Sequence, residues 1–257
     1  MGVEYSHYLI PKPNAFRPSA AQLHAFIKEL EIGDWIATPD SIAYKKSVAI
    51  ESNYQGTETA VPWAQERLPN RRGRIRGFAS IRHPLTVDWI EARLPGDMRI
   101  EFPVQHVQEI GIRYPLVCDS GLPDDAYHTI EIHSSNDYVH HCSECIDPVE
   151  TKCSCGTDLG YSRGFDDDVF YSARIRTQCP SCTRPFDPSS STVDYRDGFT
   201  GAKSRLVGGA AYRFAIVIEC GKCIPAPQKA PLRVDADFME LIKLTLGTNV
   251  YQIGDFH

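Results

Sequence analysis

No apolar run in these 257 residues approaches the ~18 that a membrane-crossing helix needs, so no helical membrane anchor is expected. The opening residues Met1 to Pro11 carry neither a basic start nor a long apolar stretch. No export signal is therefore expected, and the cytoplasm is the expected compartment. The short sequences that announce a reaction are missing as well. There is no H-E-x-x-H, no G-x-S-x-G, no P-loop and no G-x-G-x-x-G. No His-x-Glu precedes the C-x-x-C pairs, and Gln178 stands where a deaminase has proline before Cys179. Asp166, Asp167 and Asp168 are not followed by the spacing and closing Glu of a calcium loop, so they read as a hydrated turn. A basic surplus is lacking too. The formal net charge is −6, which gives the body no general attraction for phosphate backbones and suits a basic partner better.

Cysteine is abundant instead. Eight of the nine cysteines form four close pairs: Cys142/Cys145, Cys153/Cys155, Cys179/Cys182 and Cys220/Cys223, with Cys118 alone. Three pairs are C-x-x-C and one is C-x-C. A tight turn lets both thiolates of such a pair face one ion, and two pairs complete a tetrahedral sulfur shell around Zn²⁺. Disulfides would need an oxidising compartment. A redox C-x-x-C would come as a single pair, and the spacings do not match the ferredoxin runs. The expectation is two structural zinc ions held by all eight paired cysteines. Eight thiolates and two Zn²⁺ would take the net charge to about −10. Closed four-sulfur shells leave no open position for a catalytic water.

The segments Cys153-Ser-Cys-Gly-Thr-Asp158 and Cys179-Pro-Ser-Cys-Thr-Arg-Pro-Phe186 resemble the paired knuckles of zinc-ribbon proteins. The resemblance covers these turns, at most about a third of the chain. It implies amide N–H groups aimed at sulfur and strands running between knuckles, and it implies no activity. Cys153-x-Cys155 departs from the usual spacing by one residue. The pairs can share ions in two ways. Nesting puts Cys153, Cys155, Cys179 and Cys182 on one ion, and Cys142, Cys145, Cys220 and Cys223 on the other. A sequential arrangement joins the first two pairs and the last two. Nesting is favoured, because seven residues from Cys145 to Cys153 are short for a ribbon hairpin. His140 and His141 are alternative ligands that eight thiols make unnecessary.

Around this region the chain reads as α+β, an antiparallel sheet with a covering helix. Ser19 and Gln22 form a capping box, Leu23, Phe26, Ile27 and Leu30 make one apolar stripe, and Gly33 ends the helix. Strands are expected at Tyr5–Pro11, Trp35–Ala37 and Ile42–Ala49. Val87–Leu94 and Met98–Val104 look like a hairpin around Pro95-Gly96-Asp97, the second arm alternating Met98, Ile100, Phe102 and Val104 with Arg99, Glu101 and Pro103. Further strands are expected at Tyr127–His133, Val169–Arg176 and Tyr212–Glu219, the last ending in a Cys220 turn. Asp237 and Glu240 can cap a helix stopped at Gly247, before a final strand Val250–Ile253. The resulting division is an α+β domain over 1–138, a zinc-ribbon-like module with two metal sites over 139–228, and a C-terminal helix and strand over 229–257 that pack back on the first domain.

The expected function is a non-enzymatic, zinc-stabilised protein-binding role, as an adaptor or as an inhibitor of a basic partner such as a toxin. Nucleic-acid binding is the first alternative. It would use the arginine-rich stretch Arg67 to Arg82, with Arg71, Arg72, Arg74 and Arg76 as anion contacts. An enzyme with a site near His128, Glu131 and His133 is the second, since Glu131 and His133 share a strand face and can form an acid–base pair. Cys118, with His106 or His128 as base, reads better as a buried filler than as a nucleophile.

Overall fold

The computed structural model describes residues 4–36, 63–67, 80–96, 98–104, 107, 111–117, 121–122, 126–141, 146–150, 153–157, 172–174, 178–185, 192–196, 203–207, 211–221 and 233–256. The first elements are β1 (Glu4–Pro11), α1 (Ala20–Ile32), β2 (Trp63–Arg67), β3 (Ser80–Pro84) and α2 (Val87–Arg93). Next come β4 (Met98–Val104), β5 (Leu116–Val117), β6 (His128–His141), β7 (Ile146–Glu150) and β8 (Ser172–Arg174). The chain continues with β9 (Thr192–Arg196), β10 (Lys203–Val207), β11 (Ala211–Gly221), β12 (Arg233–Val234), α3 (Ala236–Leu246) and β13 (Val250–Phe256).

Strands outnumber helices and all pair antiparallel, so the class is α+β, as the sequence predicts. The main sheet has the order β13-β1-β11-β6-β4-β2-β3, with β8 added to β6. β7, β9 and β10 form a second sheet, and β5 pairs with β12. β11, drawn from the cysteine-bearing stretch, runs between β1 and β6, and β13 closes against β1.

The register explains why the sheet has two different faces. Leu9, Ile216, Ile132 and Ile100 lie in one cross-strand row, and Ile218, Ile130 and Phe102 in the next. Onto this face pack Leu23, Phe26, Ile27 and Leu30 of α1, Ile90 of α2, and Phe238, Ile242 and Leu246 of α3. Each such side chain contributes about 1.5–3 kcal/mol when fully buried. The opposite face carries the row Tyr8, Val217, Glu131 and Glu101, with Ala215, His133 and Arg99 beside it. It is buried as well: Glu131 is 0 % exposed and Glu101 4 %. The alternation in β4 thus marks two faces correctly: Met98, Ile100, Phe102 and Val104 are all buried, whereas on the second face Glu101 is buried, Arg99 half-buried and Pro103 exposed.

The α1 reading holds in detail. Ser19 Oγ accepts from the Gln22 amide, Gln22 Oε1 accepts from the Ser19 amide, and Gly33 is the C-cap. Four other expectations need correction. Val87–Leu94 is not a strand but, through Arg93, the helix α2. Thr86 caps it by accepting from the Trp89 amide, Asp88 and Arg93 complement the helix dipole, and Ile90 is the buried contact. The turn at Pro95-Gly96 that suggested a hairpin instead follows the end of the helix. In α3 the cap is Asp235, which accepts from the Asp237 and Phe238 amides, whereas Glu240 pairs with Lys243. Trp35 and Ile36 lie in a bend after α1, where Trp35 meets Phe238 edge-on at 5.0 Å and carries Arg113 over its ring at 3.9 Å. Ala37 and Ile42–Ala49 lie outside the described residues. β6 and β11 are longer than expected, and Cys220 sits inside β11, paired with Tyr5, rather than in a turn. No described helix is long and apolar enough to cross a membrane.

His128 opens β6 on the helix-covered face, fully buried, with Nε2 3.1 Å from the Trp35 carbonyl oxygen. That contact makes Nε2 the protonated, donating nitrogen. Burial pushes its pKa down to about 4, against the upward pull of the Trp35 hydrogen bond. The unfolded chain binds a proton below about pH 6.5 that the folded chain refuses until about pH 4, so acid favours unfolding in that window. His128 is therefore expected to remove about 3 kcal/mol of stability between pH 6.5 and 4. Urea denaturation across this range should show a shallower fall for His128→Gln; an unchanged slope would assign the acid sensitivity elsewhere.

Candidate metal centre

Two short turns bring four cysteines together. In the first, the Gly156 amide donates to the Cys153 carbonyl and the Cys153 amide to the Thr157 carbonyl, both at 2.8 Å. In the second, the Thr183 amide donates to the Cys179 carbonyl and the Cys179 amide to the Arg184 carbonyl, both at 2.9 Å. Every bond in the first turn falls one residue earlier than its counterpart in the second. The residue with positive φ shifts in the same way, Gly156 at 86° and Thr183 at 56°. The C-x-C turn is therefore the C-x-x-C turn shortened by one residue. Glycine takes the left-handed position without steric cost; threonine takes it at some cost. A Gln178–Pro185 bridge closes the base of the second turn, and Arg184 Nη1 donates to Ser154 Oγ at 3.2 Å across the pair.

The sulfurs of Cys153, Cys155, Cys179 and Cys182 all lie within 4.8 Å of one another. Cys153 Sγ is 3.5 Å from Cys182 Sγ, and Cys155 Sγ is 3.6 Å from Cys179 Sγ. A tetrahedron with Zn–S bonds of ~2.3 Å has sulfur–sulfur edges of about 3.8 Å, so the four thiols fit such an ion. This grouping is the one nesting assigns to the inner site. Cys179 is buried and Cys155 exposed.

The electrostatics favour a cation. Hydrogen bonds with the Thr157 hydroxyl and backbone bring the Cys155 thiol down to about 6. The Cys182 and Ser181 amides, aimed at the Cys179 sulfur, lower that thiol too. The Arg184 amide pulls Cys182 the same way, but burial and three neighbouring sulfurs push it up to about 11. Some of the four ionise readily, and the last resists because negative sulfurs already surround it. A divalent cation at the centre removes that repulsion.

Among the described residues this is the one group of three or more His, Cys, Asp or Glu with metal-binding geometry. The second expected set is not assembled within them. Cys220 is buried in the main core, whereas Cys142, Cys145 and Cys223 lie outside the described residues. The same holds for Cys118, His106 and the arginines at 71, 72, 74 and 76. His140 and His141 end β6.

The histidine group divides across the sheet. His133 Nε2 is 2.8 Å from Glu131 Oε2, and the same oxygen accepts from Arg99 Nη2. Glu101 stands 3.6 Å from Arg99 Nε, and Tyr8 meets His133 edge-on. Burial raises the Tyr8 phenol well above its usual range, with Tyr212, Glu131 and Glu219 adding to the effect against Arg99. Glu131 can thus orient the imidazole. His128 takes no part, since strand parity sends it to the other face. Arg99, Glu101 and Tyr8 were not singled out as site residues in the sequence; the alternation of Arg99 and Glu101 in β4 was visible there, but their place beside Glu131 and His133 comes from the strand register.

Compared with protein-family models, curated proteins and solved structures, the chain matches none.

Proposed function

We propose that the chain is a zinc-stabilised protein-binding protein, non-enzymatic, acting in the cytoplasm as an adaptor or as an inhibitor of a basic partner. The observation that carries the reading is the convergence of four cysteine sulfurs from two equivalent turns. Thiolates select zinc among common ions, and four of them complete its shell without a position for water or substrate. Such a centre fixes loops in space rather than reacting. In this reading the two turns act as the knuckles of a zinc-ribbon-like module, and Cys142, Cys145, Cys220 and Cys223 hold a second ion. The acidic balance of −6, deepened by thiolate ligands, supports a basic protein as partner. The buried Arg99–Glu131–His133 group has a structural account beside this one: the side chains pair with one another within the sheet.

Affinity capture from the native host separates the alternatives. The metal-loaded chain should retain a basic protein that high salt releases and that a chelator-treated chain does not bind. Retention of RNA or DNA, lost on replacing Arg71, Arg72, Arg74 and Arg76, would replace this reading with the nucleic-acid one.

A further inference from the structure

We propose that mild oxidation converts the four-cysteine centre into two disulfides that both cross between the knuckles, Cys153–Cys182 and Cys155–Cys179. The inference rests on the metal reading above and concerns what the same thiols do when the ion is lost. Four cysteines allow three connectivities. One pairs each knuckle within itself and would close Cys153-x-Cys155 as a disulfide. Its ring spans a single intervening residue and strains a turn already closed by two backbone hydrogen bonds. Once that bond is disfavoured, Cys153 and Cys155 must each find a partner on the other knuckle. Of the two crossed connectivities, geometry selects one. The 3.5 Å approach joins Cys153 to Cys182, and the 3.6 Å approach joins Cys155 to Cys179. Each needs a further movement of about 1.5 Å to reach a sulfur–sulfur bond.

Exposure sets the point of entry. Cys155 is the exposed member and Cys179, its partner, is buried beneath it. With hydrogen peroxide as oxidant, the Cys155 thiolate attacks one oxygen. A sulfur–oxygen bond forms, the oxygen–oxygen bond breaks, and hydroxide leaves. The Cys179 thiolate then attacks the Cys155 sulfur, expelling the second hydroxide as the disulfide forms. Two thiolates are oxidised and one peroxide is reduced. Cys153 and Cys182 consume a second peroxide in the same way. Each disulfide removes two donors, so the centre cannot hold its ion afterwards. Because both bonds cross, the knuckles stay joined, and Arg184 and Ser154 remain neighbours. The device therefore exchanges a metal link for a covalent one without separating the turns, and a thiol reductant with Zn²⁺ reverses it.

The test uses the full chain reconstituted with Zn²⁺, with metal content measured before any oxidant is added. Absence of metal at that stage would refute the metal reading itself. With metal present, stepwise hydrogen peroxide should release the ion from this centre to a chromogenic chelator. Non-reducing peptide mapping should then find 153 joined to 182 and 155 joined to 179, and dithiothreitol with Zn²⁺ should restore the starting state. A Cys179–Cys182 bond, a bond from these residues to any other cysteine, or release accompanied only by sulfinic acids would overturn the proposal. In Cys155→Ser the Cys153–Cys182 bond should still form, which keeps the pairing testable if metal binding is weakened.

Discussion

Cys179→Ser is expected to abolish metal binding by the knuckle pair and to expose the chain around residues 153–185 to protease. Cys179 is the most buried of the four, and the Cys182 and Ser181 amides are aimed at its sulfur. A serine hydroxyl there is neither ionised at neutral pH nor a soft donor, so the four-sulfur shell becomes three. Structural zinc of this kind contributes about 10–16 kcal/mol of apparent binding free energy at pH 7. Without it, the Arg184–Ser154 hydrogen bond, which is exposed, is the side-chain link between the two turns among the described residues. Limited proteolysis followed by mass spectrometry should show new cuts near the two turns, while hydrogen-exchange protection of β1, β6 and β11 persists. Undiminished metal content in the variant would show that the knuckle sulfurs do not hold the ion.

Glu131→Ala is expected to destabilise the main sheet by about 3 kcal/mol or more. Glu131 is fully buried, and its Oε2 takes both the Arg99 guanidinium and the His133 imidazole. Removing the carboxylate leaves Arg99, itself 13 % exposed, with a charge the interior cannot solvate. Breaking one side of a buried pair costs about 3–5 kcal/mol, whereas replacing both sides with apolar groups is often neutral. Glu101, 3.6 Å from Arg99 Nε, offsets part of the loss and sets the expectation at the lower end. The double variant Arg99→Met with Glu131→Leu should recover most of the stability. Urea midpoints of the three proteins decide the matter: a single-variant loss below about 1 kcal/mol, or a double variant no better than the single, would show that the ion pair is not what holds this face. Recovery in the double variant would also support a structural role for the group over a catalytic one.

The parts of the fold written in local chemistry were readable from the residues. α1 has its capping box and its four-residue apolar stripe, and both do in the structure what their types predict; Gly33 ends the helix as the C-cap, but the left-handed turn falls on Asp34. Met98, Ile100, Phe102 and Val104 place β4 correctly, and the strand expected at Tyr212–Glu219 lies within β11, where Phe214 to Ile218 are all buried. Local chemistry also misled in places. Val87 and Trp89 favour strands as isolated residues, and only the Thr86 cap with buried Ile90 decides for a helix. The four converging cysteines were legible because metal-binding turns leave a spacing behind. Equivalence of C-x-C with C-x-x-C was not, since it rests on where backbone hydrogen bonds fall and which residue turns left-handed. The Arg99–Glu131–His133 group was half legible: Glu131 and His133 share a face by alternation, but their partners come from β4 and β1, and only the sheet order brings those strands near.

The most direct measurement is zinc-edge X-ray absorption on the full-length chain purified without added metal, together with elemental analysis. Two zinc ions per chain, each with four sulfur neighbours at about 2.3 Å and no light-atom shell, is the expected result. A chain without metal, or one whose zinc carries nitrogen or oxygen neighbours at about 2.0 Å, would contradict the closed sulfur centre on which the proposed function rests.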